Sequence, residues 1–347
     1  MNSLNQSVHL VGSVPLADTA EVFDTVCEAF GSHLRRISDG ETGERTGWIS
    51  FQRKMLLEHP AMMLDPAGRA EPFKDLQGNV RRRNHLLVLR EGETAVHTTF
   101  LPLGYAAAAL ESYAIFAKKR ADGIIPAHVR FQVSLPTPFA TGLFYVHPKS
   151  QRAFVALMKA ALLAEMRQIC DAIPHNQLAI QWDCCQEILL AEGYFPADWA
   201  YQLDELFPTL GELGDAVPTD VHLGYHLCYG SPVDEPLMKQ DDMAVVVRFT
   251  NDLVDTLTRP LNFIHLPVSD PQADDAFFAP LADLDLRPPA ELYLGLINPR
   301  DAGGDQRRMV AARAYFAEFG VATECGWGRK NRDRVQSLLA EHLEALG

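Results

Sequence analysis

The stretch DVHLGYHLCYGS, residues 220–231, is an apolar, β-rich run that passes directly into a loop of small residues. Alternate side chains of a strand share one face, so His226 and Cys228 point into the same space at its end. Cys325, in TECGWG at 323–328, follows another apolar run. One imidazole and two thiolates that leave a fourth position open are the donor set of a catalytic zinc site.

A competing interpretation is that His226, Cys228 and Cys325 are ordinary core residues. Free cysteine is among the most buried residue types, and histidine is often a hydrogen-bonded group of the core. The position of all three at strand ends favours zinc over this interpretation.

Strand-like and helix-like segments alternate along the chain. The strand-like runs are 8–13, 34–39, 129–135, 178–183, 220–228, 261–268, 291–298 and 321–327. The segments with helical periodicity are 19–30, 46–58, 105–120, 150–173, 198–214, 240–259, 302–319 and 330–346. Eight parallel strands covered by helices predict an α/β fold, a (β/α)8 TIM barrel that forms one domain over residues 1–347. A doubly wound sheet is the alternative, but neither GxGxxG nor GxxxxGK[ST] opens a helix.

One segment interrupts the alternation, after the second predicted strand. Between residues 60 and 104 the helical pattern is lost, and LLVLREGETAVHTTFL at 86–101 is typical of a β-hairpin. We expect a β-hairpin insertion that turns at Glu91, Gly92 and Glu93.

Composition excludes several classes of protein. A net charge of −14 is unsuited to binding nucleic acid. No run approaches the ~20 apolar residues of a membrane span, and MNSLNQSVHLVGS is unlike a signal peptide. The basic run at 81–83 is expected to be a solvated face. The six cysteines have no regular spacing, which predicts reduced thiols in a cytoplasmic protein.

Polar or ionisable groups stand at nearly every predicted strand end, where the pocket of a barrel enzyme forms. These groups are Ser13, Asp39, Glu41, Ser134, Gln181, Asp183, His226, Cys228, His265, Asn298 and Cys325. Two inward-facing carboxylates, Glu41 and Asp183, are costly unless a cation meets them. Their alternative role is helix capping.

Six motifs resemble the cobalamin-independent methionine synthase family, in the family's order over nearly the whole chain. They are GSVP at 12–15, DGETGER at 39–45, SLPTP at 134–138, IQWD at 180–183, HLCYGS at 226–231 and ECGWGRK at 324–330. The resemblance is to the catalytic C-terminal barrel. It implies that His226, Cys228 and Cys325 bind zinc.

The resemblance also implies roles for the substrate-binding residues. Glu41 and Asp183 match the carboxylates that hold the amino group of homocysteine, and Ser13 matches the loop that receives its carboxylate. The expected reaction is methyl transfer to a thiol held as zinc thiolate, in methionine biosynthesis, with a folate or a sulfonium as methyl donor.

Two positions depart from the family. His265, in FIHLPVS, stands where the family has a glutamate ligand, which makes it the candidate fourth ligand. Asn298, in LINPRD, replaces a histidine that protonates the departing folate nitrogen, and an amide cannot transfer that proton near neutral pH. We therefore expect weak activity with a folate donor and better activity with a sulfonium.

Two other functions remain open from the sequence. A lyase or hydrolase could use the same zinc as a Lewis acid on a carbonyl or a water. A non-catalytic zinc-binding or thiol-binding protein would need fewer ionisable groups at the strand ends than this chain has. In each case the predicted partner is a small thiol or amino-acid-like molecule.

Overall fold

Parallel strands form the centre of the computed structural model, which describes residues 3–93, 98–232 and 234–347. The strands are β1 (Arg36–Ser38), β2 (Met62–Leu64), β3 (Ala70–Lys74), β4 (Val80–His85), β5 (Leu87–Leu89), β6 (Arg130–Pro136), β7 (Leu178–Cys184), β8 (His222–Leu227), β9 (Phe263–Pro267), β10 (Glu291–Ile297) and β11 (Gly320–Thr323). The helices are α1 (Thr19–Phe30), α2 (Ser50–Glu58), α3 (Tyr105–Ala121), α4 (Pro138–Tyr145), α5 (Pro148–Ala172), α6 (Gln186–Ala191), α7 (Phe207–Asp215), α8 (Ala244–Thr256), α9 (Asp275–Phe278), α10 (Asp305–Arg313) and α11 (Val335–Leu346).

Seven strands form one curled parallel sheet in the order β1-β6-β7-β8-β9-β10-β11. The central strands are buried on both faces; all seven residues of β7, for example, are buried. Helices follow the strands in sequence and cover the sheet, which explains why the strands are nearly continuous apolar runs. The mixed α/β fold with a parallel sheet is therefore confirmed, and seven of the eight predicted runs contain one of its strands.

The predicted run at 8–13 is the exception, so a closed eight-stranded barrel is not confirmed. Val8 forms isolated parallel bridges to Leu34 and to Val321. The His9 amide donates to the Val321 carbonyl of β11 at 2.9 Å. Further along, side chains bind the backbone: the Gln181 side-chain amide donates to the Val11 carbonyl at 2.7 Å, and the Gln132 side-chain amide donates to the same carbonyl at 3.0 Å. Side-chain amides thus satisfy carbonyl groups that a regular ladder would have used.

Two antiparallel pairs occur within the predicted insertion. Strand β3 pairs with β4, and β2 pairs with β5. The turn between β3 and β4 contains an Asx turn, in which Asp75 Oδ1 accepts from the backbone amide of Gln77 at 3.1 Å. The same oxygen accepts from the backbone amide of Asn79 at 2.8 Å, and Gly78 has φ 84°. The predicted hairpin with its turn at 91–93 is not confirmed. Strand β5 lies in its predicted first arm but pairs with β2, which precedes it in the chain. Residues 94–97 of the predicted second arm lie outside the described residues.

Within the described ranges, no helix combines the length and the apolar character that a membrane crossing requires. The organisation of residues 1–347 as one domain stays a prediction.

Candidate metal centre and substrate pocket

The register of three neighbouring strands places three ionisable side chains side by side. Asp183 on β7 pairs with His226 on β8, and His226 pairs with His265 on β9. All three are buried near the carboxyl ends of their strands. In parallel sheets covered by helices, this edge is where the loops form a pocket.

His226, Cys228 and Cys325 form a compact cluster at this edge. Their ligand atoms all lie within 4.8 Å of one another, and the two sulfur atoms are 3.5 Å apart. The Thr323 hydroxyl fixes the loop of Cys325, since it donates to the Cys325 carbonyl at 2.7 Å and accepts from Trp327 Nε1 at 2.8 Å. The structure thus brings together three of the four residues predicted to bind a metal.

Two donors hold the sulfur atoms of the cluster. The Gly230 amide donates to Cys228 Sγ at 3.2 Å, and Arg329 Nη2 donates to Cys325 Sγ at 3.4 Å. The hydrogen bonds from Cys228 and His226 and the guanidinium of Arg329 lower the pKa of Cys325 well below its ordinary value, although burial opposes this. A lowered pKa favours the thiolate, the form in which cysteine binds a metal.

His265 has both ring nitrogens engaged. Its Nε2 lies 3.0 Å from the Thr323 carbonyl oxygen, and its Nδ1 lies 2.7 Å from Nδ1 of His226. Burial and the neighbouring His226 lower the pKa of His265 well below its ordinary value, so its ring is neutral and has one N–H. A carbonyl only accepts, which assigns that N–H to Nε2 and makes Nδ1 an acceptor.

The hydrogen bonds of His265 also assign the role of Nδ1 in His226. Because Nδ1 of His265 accepts, Nδ1 of His226 donates, so Nε2 is the ring nitrogen of His226 that remains for a metal. His265 lies outside the group of mutually close ligand atoms and contacts the cluster through His226. Its role as a fourth ligand stays a prediction.

The donor set fits a borderline metal ion. Two cysteine sulfurs and an imidazole nitrogen suit zinc, whereas magnesium and calcium prefer oxygen ligands. Three protein ligands leave a position for a substrate atom. The cluster is therefore a possible metal site whose chemistry favours zinc.

The cluster opens into a cavity with about 410 Å³ of empty space, mouth included. Its lining includes the three predicted substrate-binding residues and a half-buried arginine, namely Ser13, Glu41, Asp183 and Arg329. Residues predicted from separate strand ends are thus neighbours of the candidate metal site.

Glu41 has a backbone conformation that is uncommon for a residue with a side chain. Its φ is 46°, and its amide donates to Asp39 Oδ1 at 2.8 Å. Gly12 leaves room for the carboxylate, because a Cβ there would lie 2.7 Å from Glu41 Oε1. Burial, followed by the charge of Asp183, raises the pKa of Glu41 well above its ordinary value.

Asp183 is an equally unfavourable site for a negative charge. Burial raises its pKa to about 8, even though the Gln181 amide donates to its Oδ1 at 2.9 Å and opposes the shift. A buried and a half-buried acid in one cavity are stabilised when a cation binds between them. The pair of Glu41 and Asp183 is therefore suited to a cationic group of a ligand.

Helix capping was the alternative role for Glu41 and Asp183, but other residues occupy the N-cap positions. Helix α6 has Cys185 as its N-cap residue, and α2 has Ile49. Neither Asp183 nor Glu41 is the N-cap of the helix that follows it.

Ser13 and Asn298 lie in different surroundings. The Ser13 hydroxyl lines the cavity and accepts from the Gly328 amide at 3.2 Å. Asn298 is buried, and its Oδ1 accepts from the Arg300 amide at 3.1 Å. Asn298 is not among the residues that line the cavity with the cluster, and its Nδ2 has no hydrogen-bond partner within the described part of the chain. Its catalytic role stays a prediction.

Sequence reasoning missed three residues of the site: Trp48, Cys185 and Arg329, which line the cavity. A signal existed for Arg329, because it lies in the ECGWGRK motif. Cys185 directly follows Cys184, and adjacent residues of an extended chain point to opposite faces, so nothing in the sequence indicated that it belongs to the site. Its hydrogen bond is the main cause that raises the pKa of Cys228. No pattern in the sequence indicated Trp48, because its position in the cavity lining depends on the conformation of a loop.

The fold is shared with solved structures of methionine synthases. A B12-independent methionine synthase from Shewanella sp. W3-18-1, in complex with selenomethionine, matches with a TM-score of 0.61 and 14% identity over 99% of this chain and 96% of that chain. A putative vitamin-B12-independent methionine synthase from Listeria monocytogenes matches with a TM-score of 0.50 and 14% identity, over 94% and 86% of the two chains. A methyltransferase from Methanosarcina mazei matches with a TM-score of 0.50 and 13% identity, over 100% and 95%.

The predicted resemblance in fold is confirmed. No protein-family model matches the chain, and no curated protein sequence matches it. At 13–14% identity the likeness to the solved structures shows the fold alone, so metal and substrate depend on the residues of the site.

Proposed function

We propose that this protein is a zinc-dependent methyltransferase that methylates the thiol of a small amino-acid-like substrate such as homocysteine. The observation that supports this most is the cluster of His226, Cys228 and Cys325 in a cavity it shares with Glu41 and Asp183. The structural neighbours named above are methionine synthases or a methyltransferase, which favours methyl transfer over a lyase or hydrolase reaction.

His226, Cys228 and Cys325 would hold the zinc, with His226 binding through Nε2. Zinc in such a site lowers the pKa of a substrate thiol, so that the thiolate persists near neutral pH. The protein's two thiolates and a neutral imidazole balance the charge of the ion, which leaves it a strong Lewis acid.

The remaining residues of the cavity orient the substrate. Glu41 and Asp183 receive its ammonium group, which compensates the cost of burying their charges. The Ser13 loop receives its carboxylate. In the transfer, a sulfur–carbon bond forms while the methyl group leaves a cationic nitrogen or sulfur of the donor, which keeps the bonding electron pair.

The identity of the donor rests on Asn298. A folate nitrogen needs a proton as it leaves, and an amide cannot supply one; a sulfonium leaves as a neutral thioether without acid help. We therefore propose a donor whose leaving group needs no proton.

The test is a methylation assay on purified, zinc-loaded protein, with homocysteine as acceptor and a methyl-folate or a sulfonium as donor. Mass spectrometry of the thiol measures the product. We expect product that depends on zinc and is lost in Cys325→Ala but kept in Cys27→Ala, a buried thiol that does not line the cavity. Zinc-loaded protein that methylates no thiol with either class of donor would contradict the proposal.

A further inference from the structure

A third cysteine lines the cavity of the metal cluster. Cys185 lies there together with Cys228 and Cys325, so three of the chain's six cysteines meet in one cavity. Cys185 is only 3% exposed, and it is the N-cap residue of α6. The cluster described above uses two of these three sulfur atoms and leaves that of Cys185 without a role.

The end of β7 places Cys185 beside the cluster. The Cys228 amide donates to the Cys184 carbonyl at 3.0 Å, which extends the pairing of β7 with β8 to these residues. Asp183 and Cys185 line the cavity, whereas Cys184 between them is fully buried and does not. This is the alternation of an extended chain, and it brings the Cys185 side chain to the same side as Asp183.

Cys185 contacts the cluster through Cys228. The thiol groups of the two residues are hydrogen-bonded to each other. The loop that follows β8 touches both sulfur atoms: the Gly230 amide donates to Cys228 Sγ at 3.2 Å, and a Cβ at residue 230 would lie 3.3 Å from Cys185 Sγ. The glycine therefore leaves room for the sulfur of Cys185.

The cluster itself supplies three ligands, whereas zinc sites in proteins are tetrahedral. Cys185 is not in the group whose ligand atoms all lie within 4.8 Å of one another, so its sulfur has to move to reach an ion there. Rotation about the Cα–Cβ bond moves a cysteine sulfur by about 3 Å between staggered positions. A sulfur that already contacts Cys228 can thus become a ligand without a movement of the backbone.

The charges around the cluster balance when a third thiolate is present. The guanidinium of Arg329 interacts with the sulfur atoms of Cys185, Cys228 and Cys325, and it donates to Cys325 Sγ at 3.4 Å. Three thiolates carry three negative charges, and a zinc ion together with this guanidinium carries three positive ones. With only two thiolates, the site would have one uncompensated positive charge.

We propose that Cys185 is an exchangeable fourth ligand, which binds zinc through Sγ until the thiol of the substrate replaces it. In the exchange, the bond between zinc and Cys185 breaks and a bond between zinc and the substrate sulfur forms. The proton of the substrate thiol passes to the released Cys185 sulfur, so the charge of the site stays the same. This inference rests on the proposed function for the zinc ion and the thiol substrate, and it adds the acceptor of the substrate's proton.

The first test uses the full-length protein with cobalt in place of zinc. Thiolates bound to Co²⁺ give a charge-transfer absorption whose intensity increases with their number. We expect Cys185→Ser and Cys185→Ala each to lose about one third of this absorption. Cys184→Ser is the matched control, because Cys184 is the neighbouring buried cysteine and does not line the cavity; it should keep the full absorption.

Homocysteine distinguishes an exchangeable ligand from a residue that only supports the cluster. In the unaltered cobalt protein one thiolate replaces another, so the absorption should not change when homocysteine binds. In Cys185→Ser homocysteine adds a thiolate, so the absorption should rise by about half. In the zinc-loaded proteins, Cys185→Ser should release about one proton per chain more than the unaltered protein on binding homocysteine, measured with a pH indicator in weak buffer.

Equal absorption of the unaltered protein and both Cys185 variants would overturn the inference, as would equal proton release. Thiol methylation that depends on zinc, together with absorption that does not depend on Cys185, contradicts the exchangeable ligand alone. Loss of one third of the absorption in the Cys185 variants, without methylation of any thiol by the unaltered protein, contradicts the proposed reaction alone. A protein that binds neither cobalt nor zinc contradicts both.

Discussion

Replacing Asp183 by asparagine should stabilise the protein while weakening substrate binding. The folded protein holds the pKa of Asp183 at about 8 instead of 3.8, chiefly because the carboxyl group is buried. At 1.36 kcal/mol per pKa unit this difference is worth roughly 6 kcal/mol. The charges of Glu41 and Asp183 interact, so part of this energy belongs to Glu41. We therefore expect Asp183→Asn to gain about 3 kcal/mol in free energy of unfolding above pH ~8.

The sign of the pH dependence follows from the direction of the shift. A raised pKa in the folded state means that the folded protein binds the proton more tightly than the unfolded chain. This stabilising contribution is complete below pH 3.8 and is lost as the pH rises through about 8. Asparagine does not titrate, and its Oδ1 can still accept from Gln181. The gain should therefore be small near pH ~4 and largest above pH ~8.

Urea unfolding at several pH values between about 5 and about 9 measures this gain. Glu291→Gln is the control of opposite sign. Burial raises the pKa of Glu291, but the charges of Arg36 and Arg35 and the hydrogen bonds from Arg36 and Tyr293 together lower it overall. Glu291→Gln should lose stability near neutral pH and match the unaltered protein in acid. An Asp183→Asn protein that is less stable than the unaltered protein near pH ~9, with unchanged zinc content, would refute the reasoning.

Three further predictions concern His265, Gly12 and Asn298. His265→Phe should weaken zinc binding by about 10–100-fold, whereas His265→Gln, which can still donate and accept, should restore part of it, as measured by competition with a chelator. Gly12→Ala should displace the Glu41 carboxylate and weaken homocysteine binding, measured by calorimetry, without changing zinc content. Gly303→Ala is the control, because a Cβ there meets nothing within 4 Å, and it should change neither homocysteine binding nor zinc content. Asn298→His should raise turnover with a methyl-folate donor, and strong folate-dependent turnover by the unaltered protein would contradict this prediction.

The sheet was predictable because seven apolar runs of suitable length alternate with helical segments. The run at 8–13 has the same composition, but it does not form a regular strand, because side-chain amides of Gln132 and Gln181 occupy its carbonyl groups. These partners are more than 100 residues away in sequence. The β3–β4 turn was predictable from Asp75 and Gly78, whose turn chemistry is local, but the sequence prediction favoured the later turn at 91–93.

The cluster was predictable from side-chain alternation, since Cys228 directly follows β8 and is two residues after His226. The contacts of His265 were not, because they depend on the ring orientation and on the carbonyl of Thr323. The strained backbone of Trp48 and the stacking of Arg82 on the insertion likewise depend on tertiary contacts. Hence the basic run at 81–83 suggested only a solvated face.

The zinc content of the purified protein tests the central claim most directly. Elemental analysis should find about one zinc per chain, and the double variant Cys228→Ala/Cys325→Ala should contain none. The matched double variant Cys27→Ala/Cys170→Ala, which removes two thiols that do not line the cavity, should keep its zinc. Zinc-free protein from a chelator-free preparation, or full zinc occupancy in the Cys228→Ala/Cys325→Ala variant, would contradict the account.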